Sequence, residues 1–307
     1  MKMGLVSIII PSHRGSDKVS RAVRSVLNQT YEDVEVIVVD DNGRGTEEQI
    51  KTETVLKEFI DCPKFHYIIH EVNKNGSAAR NTGAKASNGE YLGFLDDDDE
   101  YLPHYVQMHM ENHKKLDDEY ALTYCSCKCF RNGNAVSYMY KRHSGSVLYE
   151  VLLHRAIISS SSLIIKRKAF EELGGFDESF RRHQDWEFTA RVAADYKVKA
   201  IFKVGYNRNF EYRNSSKNYE TAKNYRIYYL EKMMPYIERL PKEKQKNVIT
   251  SNYVGLILSL LRKGQIKKFI KEYRFFNLGF YGIPFVLKSM YSYVFVNKNL
   301  WTLKKRK

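Results

Sequence analysis

The chain has 307 residues, 43% of them hydrophobic and 28% charged, with a formal charge of +14. That length and apolar content can fill a core, which excludes a disordered chain and fits one large domain or a domain with an appendage. Residues 1 to 219 carry 31 Lys and Arg against 31 Asp and Glu, while residues 220 to 307 carry 19 against 5. The whole excess (19 − 5 = 14) therefore lies in the last third, and the basic character that suggests nucleic acid or an anionic membrane surface applies only there.

The opening "MKMGLVSIIIPSHRG" has a short apolar run and no small-residue cleavage site, so it reads as a first strand and not as a secretory signal. "KVSRAVRSVLNQT" places Val19, Ala22, Val23, Val26 and Leu27 at helical spacing, and "DVEVIVVDD" is a buried strand ending in carboxylates. A helix over "TEEQIKTETVLKEFI", a strand over "KFHYIIHEV", a small-residue helix over "SAARNTGAKAS" and a strand in "GEYLGFLDDDD" follow. Strands separated by helical crossovers imply an α/β fold with a mostly parallel central sheet flanked by helices. Ligands of such sheets sit at the carboxyl ends of the strands. Pro11 to His13, Asp40 with Asp41, and Asp96 to Asp99 all fall there.

The middle, about 120 to 215, is less regular. "ALTYCSCKCF" and "NAVSYMYKR" form a hairpin around Asn132 and Gly133, "SSSLIIKR" is a strand, "RKAFEELGGFDESF" a short helix stopped by Gly174 and Gly175, and "DWEFTARVAAD" a helix that Asp185 could cap. Cys125, Cys127 and Cys129 share one strand face, which suits buried thiols in a reducing compartment better than a disulfide framework or zinc. Beyond about 215 the pattern turns to long helices rich in lysine and tyrosine.

Four consecutive aspartates, Asp96 to Asp99, repel by roughly 1 kcal/mol per pair even in water. An oxygen-only cluster at a strand end suits a hard cation such as Mg2+ or Mn2+, which commonly binds through one or two carboxylates plus nucleotide phosphates. A solvated acidic turn is the plainer alternative. No G-x-x-x-x-G-K-[ST] occurs, which argues against a P-loop nucleotidase.

"VSIIIPSHRG", "VIVVDDNGRGT", "NGSAARNTGAKASNGEYLGFLDDDDEYLP", "GGFDESF" and "HQDWEFTARV" occur in an order and at a spacing that resembles bacterial family-two glycosyltransferases of the GT-A fold, over roughly residues 5 to 215. The resemblance implies an inverting, metal-dependent transferase that moves one sugar from a nucleotide sugar, a UDP-sugar by preference, to an acceptor hydroxyl. By that resemblance Pro11, Ser12, His13, Asp41, Asn75, Gly76 and Arg80 line the nucleotide site, Asp41 taking the uracil. Asp41 also reads as an ordinary loop-capping carboxylate, and Arg80 as a surface ion-pair partner. Asp96, Asp98 and Asp99 match a D-x-D-D pattern, Asp96 and Asp98 facing the nucleotide and Asp98 and Asp99 the metal, Mn2+ or Mg2+, while Asp97 is ancillary. Asp185 matches the general base, with a structural N-cap as the alternative. Gly175 and Phe176, in "GGFDESF", match the wall between donor sugar and acceptor, with a plain helix-stop turn as the alternative, and Trp186 reads as flanking the acceptor site or as core of its amphipathic helix. Relatives often carry Glu-Asp where this chain has Gln184-Asp185, and the Q-x-x-R-W signature of processive synthases is missing, so repeated polymerisation is not expected. Tyr212 and Arg213 resemble a late Tyr-Arg element near the diphosphate.

The rival readings are a sugar-nucleotide nucleotidyltransferase, for which "PSHRGSDKVS" is too poor in glycine, and a basic nucleic-acid-binding protein, against which the neutral first 219 residues count. The expected domains are 1–219, catalytic, and 220–307, a basic helical tail. Phe275 to Val296, with "RKGQIKKFIKEYR" before it and "LKKRK" after it, suits helices lying on an anionic membrane surface or an oligomer interface. The expected location is cytoplasmic, peripheral at the inner membrane face, with a glycan or glycolipid acceptor and no nucleic-acid partner.

Overall fold

The computed structural model describes residues 2–210 and 218–291. Two compact units divide between residues 213 and 214. In the first, β1 (Lys2–Ser12), α1 (Val19–Leu27), β2 (Val34–Asp40), α2 (Glu47–Leu56), β3 (Phe65–Ile69), α3 (Gly76–Ala86) and β4 (Gly89–Phe94) alternate as the periodicity predicts. There follow β5 (Glu100–Tyr101), α4 (Tyr105–His113), β6 (Tyr120–Arg131), β7 (Asn134–Met139), α5 (Leu148–Leu152), β8 (Leu163–Lys166), α6 (Arg167–Glu172), α7 (Gln184–Asp195) and β9 (Lys197–Phe210).

One nine-stranded sheet runs β3-β2-β1-β4-β8-β6-β9-β5, with β7 paired to β6. Its first four strands are parallel, with Ile8 opposite Val36 and Gly93. Every residue of β2 is buried, the pattern of a strand covered on both faces. Antiparallel pairs enter at β8, so the second half is mixed: β4 with β8, β8 with β6 and β5 with β9 run antiparallel, and β6 with β9 parallel. The β6–β7 hairpin turns at Asn132 and Gly133, with φ of 48° and 77°, the left-handed pair such a two-residue turn requires. Cys125, Cys127 and Cys129 are buried free thiols on β6.

The second unit comprises α8 (Tyr219–Ile237), α9 (Lys242–Arg262), α10 (Ile266–Phe275) and α11 (Gly279–Tyr291). Val254, Ile257 and Leu260 of α9 and Leu278 form its buried centre. Buried Glu272 pairs with Lys223 Nζ at 2.8 Å and accepts from Tyr219 Oη at 3.2 Å. Among the described residues no helix is long and apolar enough to cross a membrane. Tyr212 and Arg213, residues 292–296 and the terminal "LKKRK" lie outside the described residues.

Candidate active site

The carboxyl ends of the parallel strands open into a cleft of about 300 Å³ lined by Pro11, Ser12, His13, Asp41, Gly76, Arg80, Asp96, Asp97, Asp98 and Gln184. Residues separated by up to 173 positions thus meet because each follows a strand end or begins a helix on the same side of the sheet.

Arg80, on α3, anchors the cleft. One guanidinium nitrogen donates to Asp96 Oδ1 at 2.7 Å and another to Gln184 Oε1 at 2.9 Å, and the group lies 5.4 Å over the Phe176 ring. Its Nε and the nearby Ser77 Oγ are buried with no partner among the described residues. The ordinary surface ion pair that Arg80 could have made is excluded, since the residue is 8% exposed. Its helix starts at Asn75, whose Oδ1 accepts from the amides of Ser77 and Ala78. Asn75 holds φ at 96°, a conformation costly for a side chain other than glycine.

Asp41 holds that turn in place. Its carboxylate accepts from His70 at 2.7 Å, Asn73 Nδ2 at 2.9 Å, and the amides of Lys74 and Asn75 at 2.8 Å each. A carboxylate has about four acceptor positions, and all four are filled by the chain itself. The loop-capping alternative therefore describes the bonds made here, although Asp41 also borders the cleft.

In the acidic run, one oxygen from each of Asp96, Asp98 and Asp99 lies within 4.8 Å of the others. Asp99 is 2% exposed and accepts from the Asn209 amide at 2.9 Å. Burial, then Asp96 and Asp98, push its pKa well above the ordinary carboxylate value. The Asp98 carbonyl accepts from Arg21 and from Asn209 Nδ2, each at 2.8 Å. Asp97 is more than the ancillary residue its variable position suggested. It accepts from Ser12 Oγ at 3.1 Å and the His13 amide at 3.3 Å, tying the acidic run to the end of β1. A Cβ on Gly15 would come within 2.0 Å of its carboxylate, so only glycine permits that approach. Burial first, then Asp98 and Asp96, raise Asp97 to about 7.

Asp185 stands at the second position of α7, not at its N-cap, which is His183 with φ of 64°. Its Oδ1 accepts from the Trp186 amide at 3.0 Å. Burial and then Asp96 raise its pKa, against the opposing pull of Arg208 and Arg80. The neutral Gln184 beside it accepts from Arg80 and donates to the Phe180 carbonyl at 2.8 Å, a pairing that a glutamate could not complete. The Trp186 ring lies 4.0 Å from each of the His154 and His183 rings. Arg14 (φ 56°) joins Asn75 and His183 in left-handed backbone, each next in sequence to a residue that lines the cleft, as strained residues often stand at functional sites.

Two acceptor-wall expectations need correction. Phe176 is 2% exposed and packs edge-on against Phe94 and flat on Phe188, so its ring supports Arg80 from the core and presents no face to an acceptor. Gly175, at φ 71°, is pinned by Arg191, which donates to its carbonyl at 2.7 Å, and borders a separate groove with Asn81 and Arg167.

Arg208 on β9 was not singled out from sequence. Burial opposes its charge, but Tyr206, Asp99, Asp96 and Asp185 hold it protonated more firmly than an ordinary arginine. It is the cation that faces the acidic run from the mixed half of the sheet. Its only signal was an arginine in "YNRNF", which has no distinguishing pattern.

Residues 7–174, more than half of the chain, match Glycosyl transferase family 2. An uncharacterised glycosyltransferase of Rickettsia typhi is 32% identical over 60% of this chain and 57% of its own length. The amylovoran biosynthesis glycosyltransferase AmsB of Erwinia amylovora is 26% identical over 76% of this chain and 79% of its own. The chain thus spans less than two thirds of the Rickettsia relative. Residues 1–349 of S. aureus TarS, solved in complex with UDP-GlcNAc, superpose with a TM-score of 0.57 at 15% identity, covering 90% of this chain and 92% of that one, and share the GT-A fold. With the strand-end cleft and these matches together, the chain belongs to glycosyl transferase family 2.

Proposed function

We propose that the protein transfers one sugar from a UDP-sugar to a glycan or glycolipid hydroxyl with inversion, assisted by a divalent cation. The observation that carries this reading is that Arg80, Asp96 and Asp98 line one cleft, with Asp99 clustered on the two carboxylates and Asp185 near enough to Asp96 and Arg80 to feel their charge. The UDP-GlcNAc complex of TarS, a protein of the same fold, supports the choice of donor.

The oxygen-only set fits Mg2+ or Mn2+, with Asp98 and Asp99 as holders and Asp96 beside them. A bound cation would supply charge neutralisation for the departing diphosphate. The chain's own residues do the rest. Arg80, with Nε still unsatisfied, suits a phosphate oxygen, and Arg208 adds a second fixed positive charge. Pro11, Ser12 and His13 border the base and ribose, while Asp41 fixes the Asn73–Asn75 turn. Asp185 takes the proton of the acceptor hydroxyl as its oxygen attacks the anomeric carbon, and a single displacement inverts that centre. Its raised pKa strengthens it as a base. A screen of nucleotide sugars for hydrolysis and thermal stabilisation, with and without Mn2+, tests this. Stabilisation by UDP-sugars only when cation is present is expected, and indifference to both would refute it.

For the second unit we propose peripheral contact with an anionic membrane surface. Helix α10 exposes Ile266, Ile270 and Phe275 beside Lys267 and Lys271. Salt-sensitive co-sedimentation with vesicles containing anionic lipid, lost in Lys267→Glu/Lys271→Glu, is expected. Binding indifferent to salt and to that change would favour an oligomer interface.

A further inference from the structure

Beyond the cleft and the groove at Gly175, the first unit carries a concavity of about 240 Å³, lined by Tyr124, Tyr140, Lys141, Arg142, Arg155 and Ile157 among others. No carboxylate lines it. Arg142 and Arg155 are exposed and form no ion pair among the described residues. Lys141 is 5% exposed, and its ammonium donates to the Ile157 carbonyl at 2.6 Å. Burial lowers its pKa, so an anion in the hollow would relieve the cost of its charge.

An aromatic row borders this hollow. Tyr138, Tyr140 and Phe202 stack in succession, with centroids 5.8 and 4.9 Å apart and planes within 14° of parallel. All three are at least half exposed, and Arg142 lies 5.5 Å over the Phe202 ring. β7, which carries Tyr138, pairs only with β6 among the described strands. The segment 154–161 connects this hollow to the cleft. His154 packs on Trp186 next to Asp185, Arg155 to Ile157 line the hollow, and Ser161 Oγ accepts from the Asp96 amide at 3.2 Å.

We propose that this hollow and its aromatic row are a distal subsite for the acceptor, and that the acceptor is an anionic glycan. Sugar rings lie along the exposed side of the Tyr138–Tyr140–Phe202 stack, and a carboxylate or phosphodiester is held by Arg142, Arg155 and Lys141. The chemistry selects this class. An exposed apolar ring stack suits the C–H faces of pyranose rings, paired guanidinium groups suit carboxylate or phosphate oxygens, and a neutral or cationic polymer would leave the three cations unanswered. This inference rests on the glycosyl-transfer reading, since it needs an acceptor to be present.

Binding of three oligosaccharide series to the intact chain separates the outcomes: a galacturonan for carboxylates, a glycerol-phosphate oligomer for phosphodiesters, and a neutral dextran. UDP binding is measured on the same samples. Either anionic series should bind more tightly than dextran, and the stronger of the two identifies the anion. Arg142→Ala and Arg155→Ala should each weaken that binding about tenfold, equivalent to ~1.4 kcal/mol. Tyr140→Ala should weaken all sugars alike, and UDP affinity and melting temperature should stay unchanged in every variant. Anionic oligomers that bind no better than dextran, or equally well to the Arg variants, would overturn the subsite while UDP binding still upholds the transferase reading. Loss of UDP binding in the unmodified chain would instead strike that reading. A concentration-dependent dimer abolished by Tyr138→Lys, without glycan binding, would reassign the row to contact between two copies.

Discussion

The two halves of the sheet supply different parts of the chemistry. The parallel half, β3-β2-β1-β4, delivers Ser12, His13, Asp41, Arg80 and the acidic run from strand ends and a helix start on one side. The mixed half delivers Asp185 and Gln184 from the start of α7 and Arg208 from β9. In the proposed function the first set recognises and neutralises the donor, and the second acts on the acceptor proton and balances charge. Such a division lets donor binding and turnover be changed separately.

The largest effect should come from Asp98→Asn or Asp99→Asn, which remove the carboxylates best placed for a cation. A loss on the order of 1,000-fold in kcat/KM is expected, with weaker UDP binding by calorimetry in the presence of Mn2+. Asp185→Asn should follow, lowering kcat about 100-fold to 10,000-fold while leaving UDP affinity intact. If Asp185→Asn weakened UDP as much as Asp98→Asn did, the division between the halves would fail. An early-melting Asp185→Asn with normal specific activity would make the residue structural. Because burial and Asp96 raise its pKa, Asp185 stays protonated to a higher pH than an ordinary aspartate, so activity should fall on the acid side earlier than a free carboxylate would dictate.

Gln184→Glu tests the seam between the halves and should be milder, about tenfold or less in kcat. The new carboxylate would compete with Asp96 for Arg80 and face the Phe180 carbonyl without a proton to donate. A further negative charge beside Asp185 should also move the acid limb to higher pH. An unchanged pH profile would show that Gln184 is electrostatically silent.

The smallest effect concerns stability without cation. Asp97, raised to about 7, binds its proton more tightly folded than unfolded. The linked stability is full below the ordinary carboxylate pKa and is lost as pH rises toward about 7. Chelator-treated protein should therefore melt progressively earlier across that window, and Mn2+ at neutral pH should restore the melting temperature. A flat profile would mean that the acidic run carries no strain of its own.

These halves were not equally legible. In the parallel half β1, β2 and β4 are mainly apolar segments running into Pro11, Asp40 and Asp96, and β1, β2 and β3 are each followed by a helix, so order and polarity follow from local pattern. In the mixed half the pairings are distant. β5 has two residues, and its partner β9 lies about a hundred positions later, with Glu100 opposite Asn207. Nothing local in "KVKAIFKVGYNRNF" announces a 14-residue strand with register shifts, and Arg208 was missed with it. Asp185 stands out by its motif, but its setting does not, because the left-handed backbone of His183 and the imidazoles of His154 and His183 against Trp186 depend on segments about thirty residues apart. Phe176 was misplaced for a related reason: the turn made by Gly174 and Gly175 swings it into the core, and a single chain segment does not reveal which side of the turn faces solvent.

The bond from the Asn209 amide to Asp99 has one more consequence. That N–H points at a carboxylate whose charge depends on whether a cation is shared with it, while the amide itself belongs to a strand and takes no part in catalysis. In a nitrogen-labelled sample its proton resonance should therefore shift as Mg2+ is titrated, giving a readout of site occupancy from the backbone without substrate, turnover or a mutation.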